Sequence, residues 1–278
     1  MPPLVSIIIP TYNQADFLYH CLRSVVDQSY PYWEAMVVNN FSDDHTLDIA
    51  QKFGDERIHV LNFANHGVIA ASRNKGVQQA KGSLIAFLDS DDVWHKDKLQ
   101  CGVDAFFSND ADVVCTDVLL FNEKGYKKNY AAPHFFSYLE MLFNTNKIVT
   151  SSVMMKRNVF IEEKGFNEHS DIITCEDYDL WLRLAYRKNK FLSVRKILTY
   201  YRLNEAGASK NCEKHLKANL NVLNKHKKYY MKTSFINKIR IRWRMGIAVR
   251  AAGMASFKAG KRVRALHYFF LIIKYNFF

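Results

Sequence analysis

The chain has 278 residues, enough for one large α/β domain with an appendage or for two modest domains. Hydrophobic residues make up 49% and charged ones 24%, which supports a substantial buried core and excludes wholesale disorder. The formal net charge of +12 is unevenly spread: from Lys210 onward seventeen Lys/Arg face Glu213 alone, so this segment carries roughly +16 and the first 209 residues about −4.

That asymmetry predicts two domains, an acidic-to-neutral body over 1–209 and a basic, aromatic-rich helical region over 210–278. The five cysteines (Cys21, Cys101, Cys115, Cys175, Cys212) show no C-x-x-C spacing. They read as small buried residues in a reducing compartment. The opening MPPLVSIIIP has no basic n-region, and its apolar run is too short to export or to span. A cytoplasmic protein is the expectation.

Leu4 to Ile9 is a β-branched apolar run, predicted to be a strand buried on both faces and ended by Pro10. Apolar positions at Phe17, Leu18, Cys21, Leu22, Val25 and Val26 predict a helix over 14–28. Trp33 to Val38 is the next strand, and SDDHT opens a helix from Thr46 to Phe53. A short strand follows at Arg57 to Leu61, then an Ala-rich helix from Val68 to Ala80. Ser83 to Leu88 is a third strong strand that runs straight into Asp89-Ser90-Asp91-Asp92. Further on, strands are predicted at Val113 to Phe121 and Ile148 to Met155, and helices at Phe135 to Phe143 and Glu176 to Arg187. Residues 212–275 form two or three amphipathic helices. Strands alternating with helices define an α/β fold with a mostly parallel sheet and helices on both faces.

In such sheets ligands bind beyond the carboxyl ends of the strands. Here those ends carry Thr11-Tyr12-Asn13, Asn39-Asn40 and Asp89-Ser90-Asp91-Asp92. Asp89 and Asp91 flank one residue of a turn and can converge on a cation. Oxygen ligands of that kind suit Mg²⁺ or Mn²⁺, which would neutralise a diphosphate leaving group. Acidic turns after strands are common, so it is the register with two other polar strand ends that favours a site. Glu176-Asp177 opens a helix, where carboxylates either complement the helix dipole or, at Asp177, act as a general base on an acceptor hydroxyl. No H-E-x-x-H, P-loop or nucleophile elbow is present.

Three stretches carry a more specific likeness. VSIIIPTYNQADFLYHCLRSVVDQSYPYWEAMVV, ASRNKGVQQAKGSLIAFLDSDDVWHKDKL and EDYDLWLRL, in that order, resemble the family 2 glycosyltransferases over roughly residues 4–205. The resemblance implies a GT-A fold, a Rossmann-like mostly parallel sheet, here with a C-terminal α-helical extension. It implies an inverting transfer of one sugar from a nucleotide-diphosphate donor, with Mn²⁺ or Mg²⁺ as cofactor. Pro10, Thr11, Tyr12 and Asn13 would line the nucleotide pocket, with Asn39, Asn40, Arg73, Asp89 and Ser90 also on the donor side. Asp89 and Asp91 would bind ribose and metal, Asp177 would be the base and Glu176 its neighbour. Thr150, Ser151 and Ser152 would fall on the acceptor side, and Tyr200 to Ser209 resembles a closing loop over the donor diphosphate. The family usually has an acidic pair where this chain has Asn39-Asn40. An Asn amide can accept from uracil N3–H and donate to O4, so a UDP-sugar remains the expected donor.

The C-terminal stretch INKIRIRWRMGIAVRAAGMASFKAGKRVRALHYFFLIIKYNFF mixes Lys/Arg with Trp, Tyr, Phe and Ile. Its longest uncharged run, ALHYFFLII, falls short of the ~20 residues that span a bilayer. Three readings stay open: an interfacial anchor on anionic lipid, a helical subdomain packed on the body, and a nucleic-acid-binding tail. The first suits a glycan or polyprenyl-linked acceptor and an enzyme peripheral on the inner face of the cell membrane, with no nucleic-acid partner. A catalytically degenerate nucleotide-sugar-binding or scaffold protein is the alternative.

Overall fold

The structure, a computed structural model, describes residues 2–134, 136–204, 211–230, 235–258, 260 and 262–277. The chain divides into two compact units, one of residues 1–136, 147–166 and 183–204, the other of 137–146, 167–182 and 205–278. The predicted boundary near 209/210 lies outside the described residues.

The first unit holds a nine-stranded sheet. Its elements are β1 (Val5–Thr11), α1 (Ala15–Val26), β2 (Trp33–Asn39), α2 (Thr46–Lys52), β3 (Ile58–Asn62), α3 (Ile69–Gln79), β4 (Leu84–Phe87), β5 (Val93–Trp94), α4 (Lys98–Asn109), β6 (Val113–Phe121) and β7 (Lys127–Tyr130). After α5 (Tyr138–Phe143), which belongs to the second unit, come β8 (Met154–Lys156) and α6 (Arg157–Glu162). Then α7 (Glu176–Tyr186) starts in the second unit and ends in the first, and β9 (Phe191–Arg202) closes the sheet. The strand order is β3-β2-β1-β4-β8-β6-β9-β5, with β7 paired to β6. β3, β2, β1 and β4 are mutually parallel, whereas β8 runs antiparallel to both β4 and β6.

Burial explains the run of β-branched residues in β1, because both of its faces are covered. Ile7 and Ile9 cluster with Leu18, Leu22 and Val25 of α1 and with Leu99 and Val103 of α4. Ile8 points the other way, where α3 lies so close that a Cβ on Gly76 would stand 2.7 Å from the Ile8 side chain. Each such apolar side chain contributes about 1.5–3 kcal/mol on full burial. The strand does not stop at Pro10 but continues to Thr11. Its pairing with β4 has ended at Ile8 and Phe87, so on that side no ladder bond needs the N–H that proline lacks.

Three segments differ from the sequence expectation. Ile148 to Met155 is not one strand: Thr150–Ser152 forms a 3-10 turn, in which Ser152 Oγ donates to the Val149 carbonyl at 2.7 Å, and only Met154–Lys156 pairs. Short hydroxyl side chains that bond nearby backbone compete with a strand ladder. Tyr200 to Arg202, expected in a closing loop, are the last residues of β9, while 205–209 of that segment lie outside the described residues. β9 runs parallel to β6 with register shifts around Asp117, which accommodate the polar Arg195-Lys196 step. The helix expected from Phe135 starts at Tyr138, with Ser137 Oγ accepting from the Glu140 N–H as an N-cap.

The second unit is helical, with α5, the first turns of α7, α8 (Cys212–Tyr230), α9 (Phe235–Lys258) and α10 (Arg262–Phe277). Leu216, Val249, Ala252 and Tyr268 form its core cluster. Two buried charged groups have partners. Arg244 donates to the Asn144 carbonyl at 2.5 Å, and the fully buried Asp179 lies 2.9 Å from Lys225 Nζ and 3.5 Å from His226 Nε2. Among the described residues no helix is long and apolar enough to cross a membrane. All five cysteines are free thiols, and Cys21, Cys115 and Cys175 are buried.

Candidate active site

Parallel pairing brings the polar strand ends to one edge of the first unit. Thr11 is opposite Asn39 in the β1–β2 ladder, the Asn40 N–H donates to the Thr11 carbonyl at 3.0 Å, and the Leu88 N–H donates to the Ile8 carbonyl at 3.0 Å just before the acidic turn. Pro10 and Thr11 are buried, and the Thr11 hydroxyl has no hydrogen-bond partner among the described residues. Tyr12 is half exposed. Asn13, at φ 51°, holds the entrance to α1: its N–H donates to Ser42 Oγ at 3.0 Å and its side-chain carbonyl accepts from the Asp43 N–H at 3.1 Å.

Asn39 is buried with both amide ends engaged. Its Nδ2 donates to Asn62 Oδ1 at 2.9 Å, and its Oδ1 accepts from Ser42 Oγ at 2.6 Å. The amide is therefore not available to pair with a base in the way its chemistry alone suggests. Asn40, half-buried, accepts from the Asn65 N–H at 2.8 Å.

The acidic turn is the centre of the edge. Arg73, on α3 and almost fully buried, donates from Nη2 to Asp89 Oδ1 at 2.7 Å, and its guanidinium lies 5.4 Å from the Phe166 ring. The turn closes with the Asp92 N–H on the Asp89 carbonyl at 3.0 Å, and Ser90 is buried beneath it. Burial, and then the charge of Asp89, push the Asp91 carboxyl up to about 6. Asp92 is fully buried, and its carboxyl is raised by burial and by its two neighbours' charges. Two carboxyls raised by burial and by neighbouring negative charge mark a place short of positive charge.

Arg202 answers part of that shortage. At the end of β9 its Nε donates to the Asp91 carbonyl at 3.0 Å and its backbone N–H to Asp92 Oδ1 at 2.9 Å. Its guanidinium lies 4.6 Å from each of the Phe17 and Phe121 rings, a double cation–π clamp. Sequence reasoning placed this residue only in a loop. The signal available was a lone Arg after Tyr200-Tyr201, without the strand that aims it.

Thr150, Ser151 and Ser152 are all buried. Ser151 Oγ accepts from the Asp89 N–H at 3.0 Å, and the Ser151 carbonyl accepts from Trp94 Nε1 at 2.7 Å. Lys98 Nζ donates to the Ser152 carbonyl and lies 3.4 Å from Thr116 Oγ1; burial lowers this amine to about 7. Of the three, Ser151 bonds the acidic turn directly, and all three side chains are buried.

Glu176 and Asp177 belong to the second unit, at the first turn of α7. Glu176 is buried and its Oε2 accepts from the Thr174 N–H at 2.8 Å, fixing the turn before the helix, where Thr174 has φ 82°. Asp177 is half-buried. Its Oδ2 accepts from Asn146 Nδ2 at 2.9 Å and its Oδ1 from the Tyr178 N–H at 2.6 Å.

Asp89 and Asp91 fit a divalent cation by donor chemistry: hard oxygen ligands next to each other, with the half-buried Asp91 raised by desolvation and by the charge of Asp89. Among the described residues no group of three or more His, Cys, Asp or Glu has metal-site geometry. A cation held there would complete its shell with substrate oxygens, as Mg²⁺-type sites do.

A doubly covered α/β sheet with an acidic turn at its carboxyl edge is the architecture of a GT-A glycosyltransferase. Residues 6–164 match Glycosyl transferase family 2, and the chain belongs to that family. It is similar to TuaG of Bacillus subtilis, named for teichuronic acid biosynthesis, at 36% identity over 75% of this chain and 82% of that protein. It is similar as well to WfgD of Escherichia coli, a UDP-Glc:α-D-GlcNAc-diphosphoundecaprenol β-1,3-glucosyltransferase, at 31% identity over 79% of this chain and 85% of that protein. Among solved structures, S. aureus TarS 1-349 in complex with UDP-GlcNAc shares the fold at a TM-score of 0.65 and 19% identity, covering 98% of this chain and 89% of that one. The mannosyltransferase PcManGT of Pyrobaculum calidifontis, with GDP-Man and Mn²⁺, does so at 0.63 and 16%, covering 96% and 78%.

Proposed function

We propose that this glycosyltransferase moves one hexose from a UDP-sugar to a hydroxyl of a lipid-diphosphate-linked glycan, with inversion, in bacterial surface-polysaccharide synthesis. The observation that carries the reading is the acidic turn Asp89–Asp92, gripped by Arg73 and Arg202 at the carboxyl edge of β1, β2 and β4. The names of TuaG and WfgD support the glycan class and the lipid-linked acceptor, and the TarS complex with UDP-GlcNAc supports a uridine donor. The GDP-Man and Mn²⁺ bound by PcManGT keep a guanosine donor as the second reading.

In the proposed reaction Asp177 accepts the proton of the acceptor hydroxyl. The acceptor oxygen bonds to the anomeric carbon as the bond from that carbon to the β-phosphate oxygen breaks, and the nucleoside diphosphate leaves. Attack opposite the leaving group inverts the centre. The likeness of EDYDLWLRL to the family motif supports Asp177, and the hydrogen bonds from Asn146 and Tyr178 hold its carboxylate in one orientation. A divalent cation at Asp89 and Asp91 would neutralise the developing charge on the diphosphate. Arg73 would hold Asp89 towards the nucleotide side, and Glu176 would position the turn that carries Asp177. Such a reaction takes place at the cytoplasmic membrane face, where lipid-linked acceptors are presented.

The test is thermal stabilisation by UDP, GDP, dTDP and CDP, each with and without Mn²⁺. A Mn²⁺-dependent shift with UDP supports the reading. A shift with GDP instead moves the donor to the guanosine class, and no shift with any nucleotide leaves a degenerate scaffold.

A further inference from the structure

The second unit carries an apolar surface that its own core does not use. Along α9, Ile241, Met245, Val249 and Ala252 are buried against the rest of the unit. The opposite side of the same helix is also apolar. Ile236, Ile239, Trp243, Met254 and Phe257 are each more than half exposed, and the half-buried Ile247 joins them. Steps of three, four, four, seven and three residues keep these six on one stripe along a helix about 36 Å long. Phe269 of α10 meets the stripe at a groove of about 520 Å³ bordered by Arg250 and Lys258. Gly253 makes that closeness of helices possible, since a Cβ there would stand 3.2 Å from Tyr268 Cβ. Leu266 and Phe270 extend the exposed apolar surface on α10.

The charge around the stripe is of one sign. Exposed cations at Arg240, Arg242, Arg250 and Lys258 flank it on α9, and Arg262 stands at the start of α10. No Asp or Glu occurs anywhere after Glu213. An apolar stripe edged by cations, on a helix that cannot span, is the pattern of a helix lying in the plane of a bilayer interface. Trp243 and the phenylalanines would sit at headgroup depth while Arg and Lys stems extend to lipid phosphates.

We propose that the exposed faces of α9 and α10 form a docking surface for an anionic phospholipid bilayer. Charge decides the occupant: a second copy of this chain would set cation against cation along the stripe, whereas anionic headgroups neutralise it. The surface gives a physical location to the membrane-face acceptor proposed above, but its own test needs neither donor nor acceptor.

The test is co-sedimentation of the full chain with phosphatidylcholine vesicles, and with vesicles in which about one third of the lipid is phosphatidylglycerol. Binding is expected to the anionic vesicles, to weaken as salt rises, and to be slight on phosphatidylcholine alone. Trp243→Ser with Phe257→Ser, and separately Arg242→Glu with Arg250→Glu, should each lower the partition coefficient about tenfold or more. Both variants should keep the wild-type nucleotide response and melting profile. Equal binding by either variant, or no wild-type binding to anionic vesicles, overturns the proposal. So does a concentration-dependent dimer in light scattering that the Trp243/Phe257 variant abolishes, which would assign the surface to a second copy. Vesicle binding by a chain that answers to no nucleotide would leave this surface standing and end the donor reading instead.

Discussion

Ser151→Ala separates two roles for the Thr150–Ser152 turn. If Ser151 meets an acceptor, its loss should raise the acceptor KM and leave the folded protein otherwise as it was. The geometry gives a different expectation. Ser151 is fully buried, and its Oγ accepts from the Asp89 N–H at 3.0 Å. Alanine keeps the carbonyl that receives Trp94 Nε1, so the turn itself persists. What is lost is the acceptor for one part-buried backbone donor at the head of the acidic turn. A buried donor left without a partner costs about 1–3 kcal/mol. At about 2–4 °C per kcal/mol for a chain approaching this size, melting should fall by roughly 5 °C. Asp89 and Asp91 should then hold a cation less well, so Mn²⁺-dependent UDP affinity should drop about tenfold, in line with the loss of a supporting shell around a metal site. Differential scanning fluorimetry and calorimetric titration with UDP and Mn²⁺ read both quantities without any acceptor. An unchanged melting temperature together with unchanged UDP affinity would refute the supporting role.

Asp91→Ala should abolish Mn²⁺-dependent stabilisation by UDP, whereas Asp177→Asn should keep UDP affinity near wild type and remove transfer, as single-turnover product formation would show. Arg202→Met keeps an apolar stem between Phe17 and Phe121 but deletes a charged hydrogen bond to the Asp91 carbonyl. About 1.5–3 kcal/mol of stability should go with it in chemical denaturation. Lys98 gives a pH prediction of definite sign. Its folded pKa is lowered to about 7 from 10.5, so the unfolded chain binds more protons between those values. Wild-type stability should therefore rise, relative to Lys98→Met, as pH increases from about 7 towards 9, by up to about 1.4 kcal/mol per unit. Parallel denaturation curves at each pH check this, and equal pH slopes would mean that Lys98 keeps an ordinary pKa.

The parts of the fold legible in the sequence are those whose burial is uniform. β1, β2 and β4 are covered on both faces, so their residues are mostly apolar, broken before their last residues only by the mutually bonded Ser6 and Glu34, and the strands announce themselves. β9 is twelve residues long, yet its burial changes along its length, with Arg195 and Lys196 exposed beside the register shift. A strand that changes environment midway has no single period, which is why it escaped. Arg202 went with it, since a positioning role depends on where β9 ends and not on any local motif. The 3-10 turn at Thr150–Ser152 was hidden for another reason. Its flanking valines and methionines look like strand, and only the hydroxyl bonds to nearby carbonyls and to Asp89 break the ladder.

Asn39 shows the limit of inferring a contact from residue chemistry. An amide that both donates and accepts can match uracil, but here its nitrogen and its oxygen are engaged by Asn62 and Ser42 inside the protein. The cross-strand Asn39–Asn62 pair links β2 to β3, and the Ser42 contact fixes the loop that returns towards Asn13. Replacing Asn39 by Asp would remove the donor that faces Asn62 Oδ1. Rotation of the Asn62 amide by a half-turn would put a donor against the new carboxylate, so the pair can be restored at the cost of burying a charge. Asn39→Asp should accordingly lower stability without creating a new preference among nucleotides. If instead it shifts the Mn²⁺-dependent preference from one base to another, Asn39 reads the base directly and its buried pairing with Asn62 is not maintained when donor binds.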